Sequence, residues 1–402
     1  MSGFFTRERF GKPQFLAGML LLVFLAECGW LIAHENGSVV SPDEFARIEE
    51  GMLQWHGKGI AGTPGASSTA TNAVRMRGDA YDPDHSPLWY LIESAPLTLL
   101  HTSPDSRAWL WISRAPYVLI GILLGASLWY VSRRLYGNAG GYVALALYCF
   151  SPAVLRGSCL WFTEPNIAGT WGAFGAVFTA IAVSHTLYAP REVVLWNWRR
   201  ILLLGVSLFV AIGSHFSLVI VLPVLLVFML YLAPERMLAA VAILAAAFVV
   251  CLFLLAAAYF FHPALLWHGL KNAEWLQVYG HAFAMPGAYM QVGKEIAAAG
   301  PVLIVLIPAA LVTYAVWRRS RYFGNTAPLA LSLLFVVARV ASPHQAESVF
   351  TLLAAVFFFV FVAGIAADLL ETKAWELGRA VVTGLIAANA LWNLISLARL
   401  GR

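Results

Sequence analysis

The chain has 402 residues, 60% of them hydrophobic and only 12% charged, with a mean hydropathy of +0.74. Soluble domains do not have this composition; it fits a chain that crosses a membrane many times. The net charge of +5 sits on arginines scattered through short loops rather than on a basic stripe, which leaves a nucleic-acid-binding role without support.

Arg7, Arg9 and Lys12 precede an apolar run from Phe15 to Ala33. Basic residues flanking a first span predict a cytoplasmic N-terminus. The length of the run, and the lack of a small-residue cleavage site after it, suit a spanning helix better than a signal peptide. Scored at about 20 residues per span, the apolar stretches predict an all-α integral membrane protein with about eleven spans. The expected spans are 15–34, 109–132, 138–156 and 163–186, two short ones within 200–232, then 236–261, 298–317, 325–341, 347–369 and 378–398. No second domain is visible in the sequence, which predicts a single polytopic membrane domain over residues 1–402. Eleven crossings put Arg133-Arg134, Arg199-Arg200, and Arg318-Arg319 with Arg321 all on the cytoplasmic side, as charge asymmetry requires.

Two outer loops are long. The first, 35–108, opens with Ser41-Pro42-Asp43-Glu44, which reads as a helix start. Ser41 is at the N-cap, Pro42 at the first helical position, and Glu44 closes a capping box. Asp43 is not needed by that box, and the helix dipole favours it as an anion. It is therefore the stronger candidate for a catalytic base, with Glu44 beside it. A Gly/Ala/Ser/Thr-rich stretch from Gly57 to Ala73 follows, and then Tyr81-Asp82-Pro83-Asp84-His85-Ser86-Pro87-Leu88-Trp89-Tyr90. The apolar run from Pro87 to His101 is too short to cross and predicts a helix lying at the interface. The second outer loop, 262–297, holds Trp267, His268, Lys271, Glu274, Trp275, Tyr279, His281 and Lys294.

Glu164, in Phe162-Thr163-Glu164-Pro165-Asn166, is the next outer carboxylate and either caps a helix or lines a site. Arg114, Arg156, His215, Lys271, Arg339 and His344 are the cations and imidazoles expected on the outer side. Charged groups at membrane depth are costly and face protein, water or a ligand head group. These residues are candidates for a phosphate, and structural partners otherwise. No histidine has a His-Glu-x-x-His spacing, and there is no Walker loop or dinucleotide-binding glycine motif. Cys28, Cys149, Cys159 and Cys251 lie in or beside apolar runs without metal-ligand spacing and are expected in the core.

An ordered set of these features carries a family resemblance. It comprises the acidic pair after span 1, His85-Ser86-Pro87-Leu88, Ser113-Arg114-Ala115-Pro116, Arg133-Arg134-Leu135-Tyr136-Gly137, Phe150-Ser151-Pro152 and Thr163-Glu164-Pro165. The chain resembles the GT-C superfamily of polytopic glycosyltransferases, in the branch of protein O-mannosyltransferases and the lipid A aminoarabinose transferase. The resemblance covers about the first 235 residues. It implies that Asp43, with Glu44, acts on the acceptor and that His85 helps shape the site. Glu164 takes the place of the aspartate that the family commonly carries at span 4, and His215 that of a lysine.

The expected activity is transfer of a sugar from a polyprenyl-phosphate-linked donor to a hydroxyl of a lipid, glycan or protein acceptor, at the outer face of a bacterial inner membrane. A divalent metal between carboxylates and phosphate is compatible with the residues but not required by them. Two other readings stay open: a transporter or flippase for a lipid-linked or anionic substrate, and a non-catalytic subunit that kept the fold.

Overall fold

The computed structural model describes residues 12–34, 42–57, 85–103, 106–159, 165–188, 198–342, 348–371 and 376–400; the side chains of 12, 42–46, 107, 376–379 and 399–400 are not among those described. Among the described residues the structure is helical, with no strand. Seven helices are long and apolar enough to cross a membrane, or eight if one sharply bent pair is a single span. The eleven expected spans are not confirmed by this count, and the reasons are local. The run from Arg107 to Cys149 forms one 43-residue element, broken where Gly137 adopts φ 75°, ψ −170°. At about 1.5 Å per residue it is about twice as long as the ~30 Å hydrocarbon core. The stretch 200–232 forms two short helices, Trp198–Ser214 and Val221–Leu232, joined by a 3₁₀ turn Phe216–Ile220.

The chain divides into two compact units: residues 1–36, 118–160 and 278–402 form one, and 37–117 with 161–277 form the other. In the first unit, α1 (Lys12–His34) and α15 (Glu376–Leu400) are fastened by two hydrogen bonds. Asn393 Nδ2 donates to Glu27 Oε1 at 3.3 Å and Trp30 Nε1 donates to the Leu397 carbonyl at 3.2 Å. Residue numbers rise together on both helices, so α1 and α15 run parallel. If both cross the bilayer, the number of crossings from α1 through α15 is odd. Cysteine-accessibility labelling tests this: positions 34 and 398 should react from one side, and Arg134 and Arg319 positions from the other. Opposite sidedness of 34 and 398 would break the parallel arrangement.

At the centre of this unit lies α14 (Ser348–Glu371), buried continuously from Val349 to Ala367. Its Phe350 and Phe357 stack on Phe335 of α13 (Phe323–Ala341) at centroid distances of 6.2 and 5.9 Å. A helix apolar on every side needs such enclosure, or lipid, around its whole circumference. The short helix α5 (Pro152–Cys159) begins where Ser151 and Pro152 form a cap-and-start pair; the Val154 amide meets Ser151 Oγ at 3.4 Å. That start ends the expected span 138–156 seven residues early, at Cys149. Further along, α11 (Pro286–Ala299) and α12 (Leu303–Val316) meet at 103° across Gly300-Pro301. All four cysteines are buried free thiols, as expected.

In the second unit, α6 (Asn166–Thr186) and α7 (Trp198–Ser214) approach backbone to backbone at Gly172. A Cβ there would lie 2.3 Å from the Ala211 nitrogen and 2.7 Å from the Ser207 carbonyl oxygen. Small residues at helix crossings serve this purpose in lipid, where burial of apolar surface alone gives no drive to associate.

Candidate active site

The helix predicted after span 1 is present as α2 (Pro42–Trp55), with Asp43 and Glu44 in its first turn. Its position is set by α3 (Leu88–Leu100), the short apolar helix expected at the interface. Ile48, Leu97 and Trp109 form a buried cluster, with Met52 and Ile112 packed against it. Gln54 Nε2 donates to the Tyr90 hydroxyl at 3.2 Å, and Trp55 Nε1 to the Leu91 carbonyl at 3.1 Å. Gly51 permits the approach, since a Cβ at that position would meet the Tyr90 carbonyl at 2.6 Å. Burial pushes the Tyr90 phenol above its usual range, partly offset by Gln54, so the group stays a neutral hydrogen-bonding partner. The helix that carries Asp43 is thus held along its C-terminal half by apolar packing and by neutral hydrogen bonds.

His85 and His215, 130 positions apart in the chain, lie together. Both are buried, at 6% and 1% exposure, and their rings meet edge to face with centroids 5.0 Å apart. Ser217 Oγ lies 2.8 Å from His215 Nδ1, so the hydroxyl and the imidazole fix one another's proton positions. Ser86 fastens the segment: its Oγ donates to the Gly213 carbonyl at 2.6 Å and its amide to the same oxygen at 3.0 Å. Ser86 is therefore the residue that pins His85 to the turn carrying His215. Arg114 is also in this unit, 2% exposed, and so is Glu93, which is fully buried. Tyr117, one turn beyond Arg114, donates to the Trp89 carbonyl at 3.3 Å. Lys271 is exposed near the end of helix α10 (Pro263–Asn272).

The first unit holds the other predicted cations. Arg156 is exposed on α5. Arg339 is 3% exposed and already paired: its Nη2 lies 2.6 Å from Glu295 Oε1 and its Nε 3.0 Å from Glu295 Oε2. Its Nη1 donates to the Ser342 carbonyl at 2.8 Å. Glu295 also accepts from Thr351 Oγ1 and, at 2.9 Å, from Gln291 Nε2. Sequence reading missed Glu295; the i, i+4 spacing of Gln291 and Glu295 on one helix face was its single local signal. It also missed Glu27, an ionisable residue inside the first span, which is the kind of position that merits notice on principle. Glu164 and His344 lie outside the described residues. Among the described residues no group of three or more His, Cys, Asp or Glu side chains is arranged to hold a metal ion. Asp43 and Glu164, the carboxylates that a metal bridging to a phosphate would use, have side chains outside those described.

No protein-family model matches the chain, and no curated protein matches it in sequence. Its fold does match solved oligosaccharyltransferase structures from the archaeon Archaeoglobus fulgidus. Against AglB in complex with an inhibitory peptide and a dolichol-phosphate, the TM-score is 0.59 at 11% identity, over 96% of this chain and 56% of that one. The apo form of the oligosaccharyltransferase gives 0.55 at 12% identity, over 94% and 54%. Its complex with Zn and sulfate gives 0.50 at 12%, over 79% and 44%. The chain spans about half the length of these structures. At such identity the likeness is one of fold alone: the chain shares the fold of these oligosaccharyltransferase structures. The matches do not single out the O-mannosyltransferase and aminoarabinose branch.

Proposed function

We propose that this chain is a glycosyltransferase that takes a sugar from a polyprenyl-phosphate-linked donor and gives it to an acceptor hydroxyl at the outer face of the membrane. One observation supports the reading above the others: nearly the whole chain follows the fold of an oligosaccharyltransferase that has been solved with a dolichol-phosphate bound. An outer-face site cannot draw on cytoplasmic nucleotide sugars, and the sequence has no nucleotide motif. A lipid-phosphate donor reaches such a site by lateral diffusion.

In the proposed reaction the acceptor oxygen attacks the anomeric carbon as the bond to the lipid phosphate breaks, with inversion at that carbon. Asp43 takes the hydroxyl proton as it becomes acidic, so position matters more than basicity. The departing phosphate carries the bonding electron pair and is stabilised by fixed cations, for which Arg156, Arg339 and His344 are the proposed groups. His85 and His215 form the buried wall that holds the α3 segment in register. Glu164 is the proposed second carboxylate. The test is sugar transfer by the purified full chain from polyprenyl-phosphate sugars, with release of polyprenyl phosphate as the readout. Release that depends on an acceptor is expected. No release from any such donor would favour the non-catalytic reading.

A further inference from the structure

We propose that Glu295 occupies the place the donor phosphate takes on Arg339, so that donor binding exchanges one anion for the other and frees helix α11. The inference rests on the reading above, in which Arg339 meets the donor phosphate. It starts from the fork of nitrogens that Arg339 presents. A guanidinium grips a carboxylate and a phosphate with the same two-nitrogen geometry. Here Nε and Nη2 grip both oxygens of Glu295, and Nη1 is committed to the Ser342 carbonyl. Arg339 is 3% exposed and cannot swing out to a ligand, whereas the Glu295 side chain is 19% exposed and open to one side. An anion that is to use the fork must come where Glu295 now is.

The helix that carries Glu295 is lightly anchored. Only Val292 and Ala299 of α11 are buried. Its remaining hold on the neighbouring helices includes the contacts of Glu295 with Arg339 on α13 and Thr351 on α14. Segments with few buried apolar groups open at low free-energy cost. On the outer side of the same segment Met285, Tyr289 and Met290 are exposed at 49%, 51% and 60%. These are apolar groups of the kind a polyprenyl chain would lie against. Exchange would leave Glu295 its bond with Gln291 on the same helix, so the carboxylate keeps a partner once it has left Arg339 and Thr351.

The experiment measures binding of a short polyprenyl phosphate to the full chain in nanodiscs. Glu295→Gln should bind on the order of tenfold tighter than wild type, since a competing anion is gone. Arg339→Gln should bind about ten- to a hundredfold more weakly, and the double variant should behave as Arg339→Gln. If Glu295→Gln is no tighter while Arg339→Gln is weaker, the exchange is wrong and the pair is structural, but the donor reading stands. If Arg339→Gln is unchanged, the donor phosphate is not at Arg339 and the exchange goes with it. Wild-type protein gives a second measurement that needs no variant to fold. Added polyprenyl phosphate should speed hydrogen exchange across Pro286–Ala299, and slower or unchanged exchange overturns the proposal. Inorganic phosphate in a parallel arm should leave exchange unchanged. An equal effect from it would mean that the ligand is a soluble anion rather than a lipid.

Discussion

Asp43→Asn should lower sugar transfer by roughly 10²- to 10⁴-fold, the range for loss of a general base, with little change in expression or thermal unfolding. Asparagine has the size of aspartate, and the capping box predicted from the sequence uses Ser41 and Glu44 rather than Asp43. The packing that holds α2 is further along, at Ile48, Gln54 and Trp55, and is untouched. Glu44→Gln should be milder, because glutamine can still close the box. Turnover and unfolding temperature of both variants, measured on purified protein, separate the roles. Near-normal transfer by Asp43→Asn removes it as the base. A dead Glu44→Gln beside an active Asp43→Asn exchanges the two roles.

Gly172→Ala should produce the largest loss of stability of any conservative change in the second unit. The added methyl would lie 2.3 Å from the Ala211 nitrogen and 2.7 Å from the Ser207 carbonyl oxygen. Both are backbone atoms of α7, so no side chain can rotate away, and the two helices must separate. Overpacking costs about 1–3 kcal/mol where side chains can adjust, and this site should lie at the top of that range or beyond it. The unfolding temperature in detergent and the yield of monodisperse protein should fall together. Gly175→Ala, whose nearest neighbour is the movable Ser207 hydroxyl at 3.0 Å, should be less harmful. Gly18→Ala meets nothing within 4 Å and should be neutral, or stabilising by up to about 1 kcal/mol through helix propensity. Equal effects at Gly172 and Gly18 would mean that α6 and α7 do not pack as described.

Hydropathy made the long spans legible because each must satisfy its backbone internally and bury or expose apolar side chains for some 20 residues. The short helix after Pro87 and the helix start at Pro42 were legible for local reasons, a length too small to cross and a proline at the first helical position. The breaks were harder. Gly137 interrupts a 43-residue helix through one backbone conformation, and Ser151-Pro152 restarts it two residues after Cys149. Neither changes the average hydropathy of its neighbourhood, so span boundaries and their number drifted. Pairing across the chain was harder still. His85 with His215 and Glu295 with Arg339 join residues far apart in sequence, and nothing local to either partner announces the other. The same holds for Ser86, whose two hydrogen bonds go to the Gly213 carbonyl, 127 positions away.

The fastening of the first helix to the last has a consequence for how the protein is made. Glu27 and its partner Asn393 are 366 residues apart, and Trp30 and Leu397 are 367 apart. At a synthesis rate of about 5–20 residues per second, the first helix waits roughly 20–70 s for the residues that complete it. During that interval a carboxyl group sits in the bilayer without the amide that will hydrogen-bond to it, a condition that lipid tolerates poorly. The second unit is synthesised largely within the same interval, since residues 37–117 and 161–277 come off the ribosome before α15 does. Completion of the first unit therefore waits until Asn393 and Leu397 have been made, and a ribosome stalled shortly before Asn393 should leave the second unit folded and the first one unfinished.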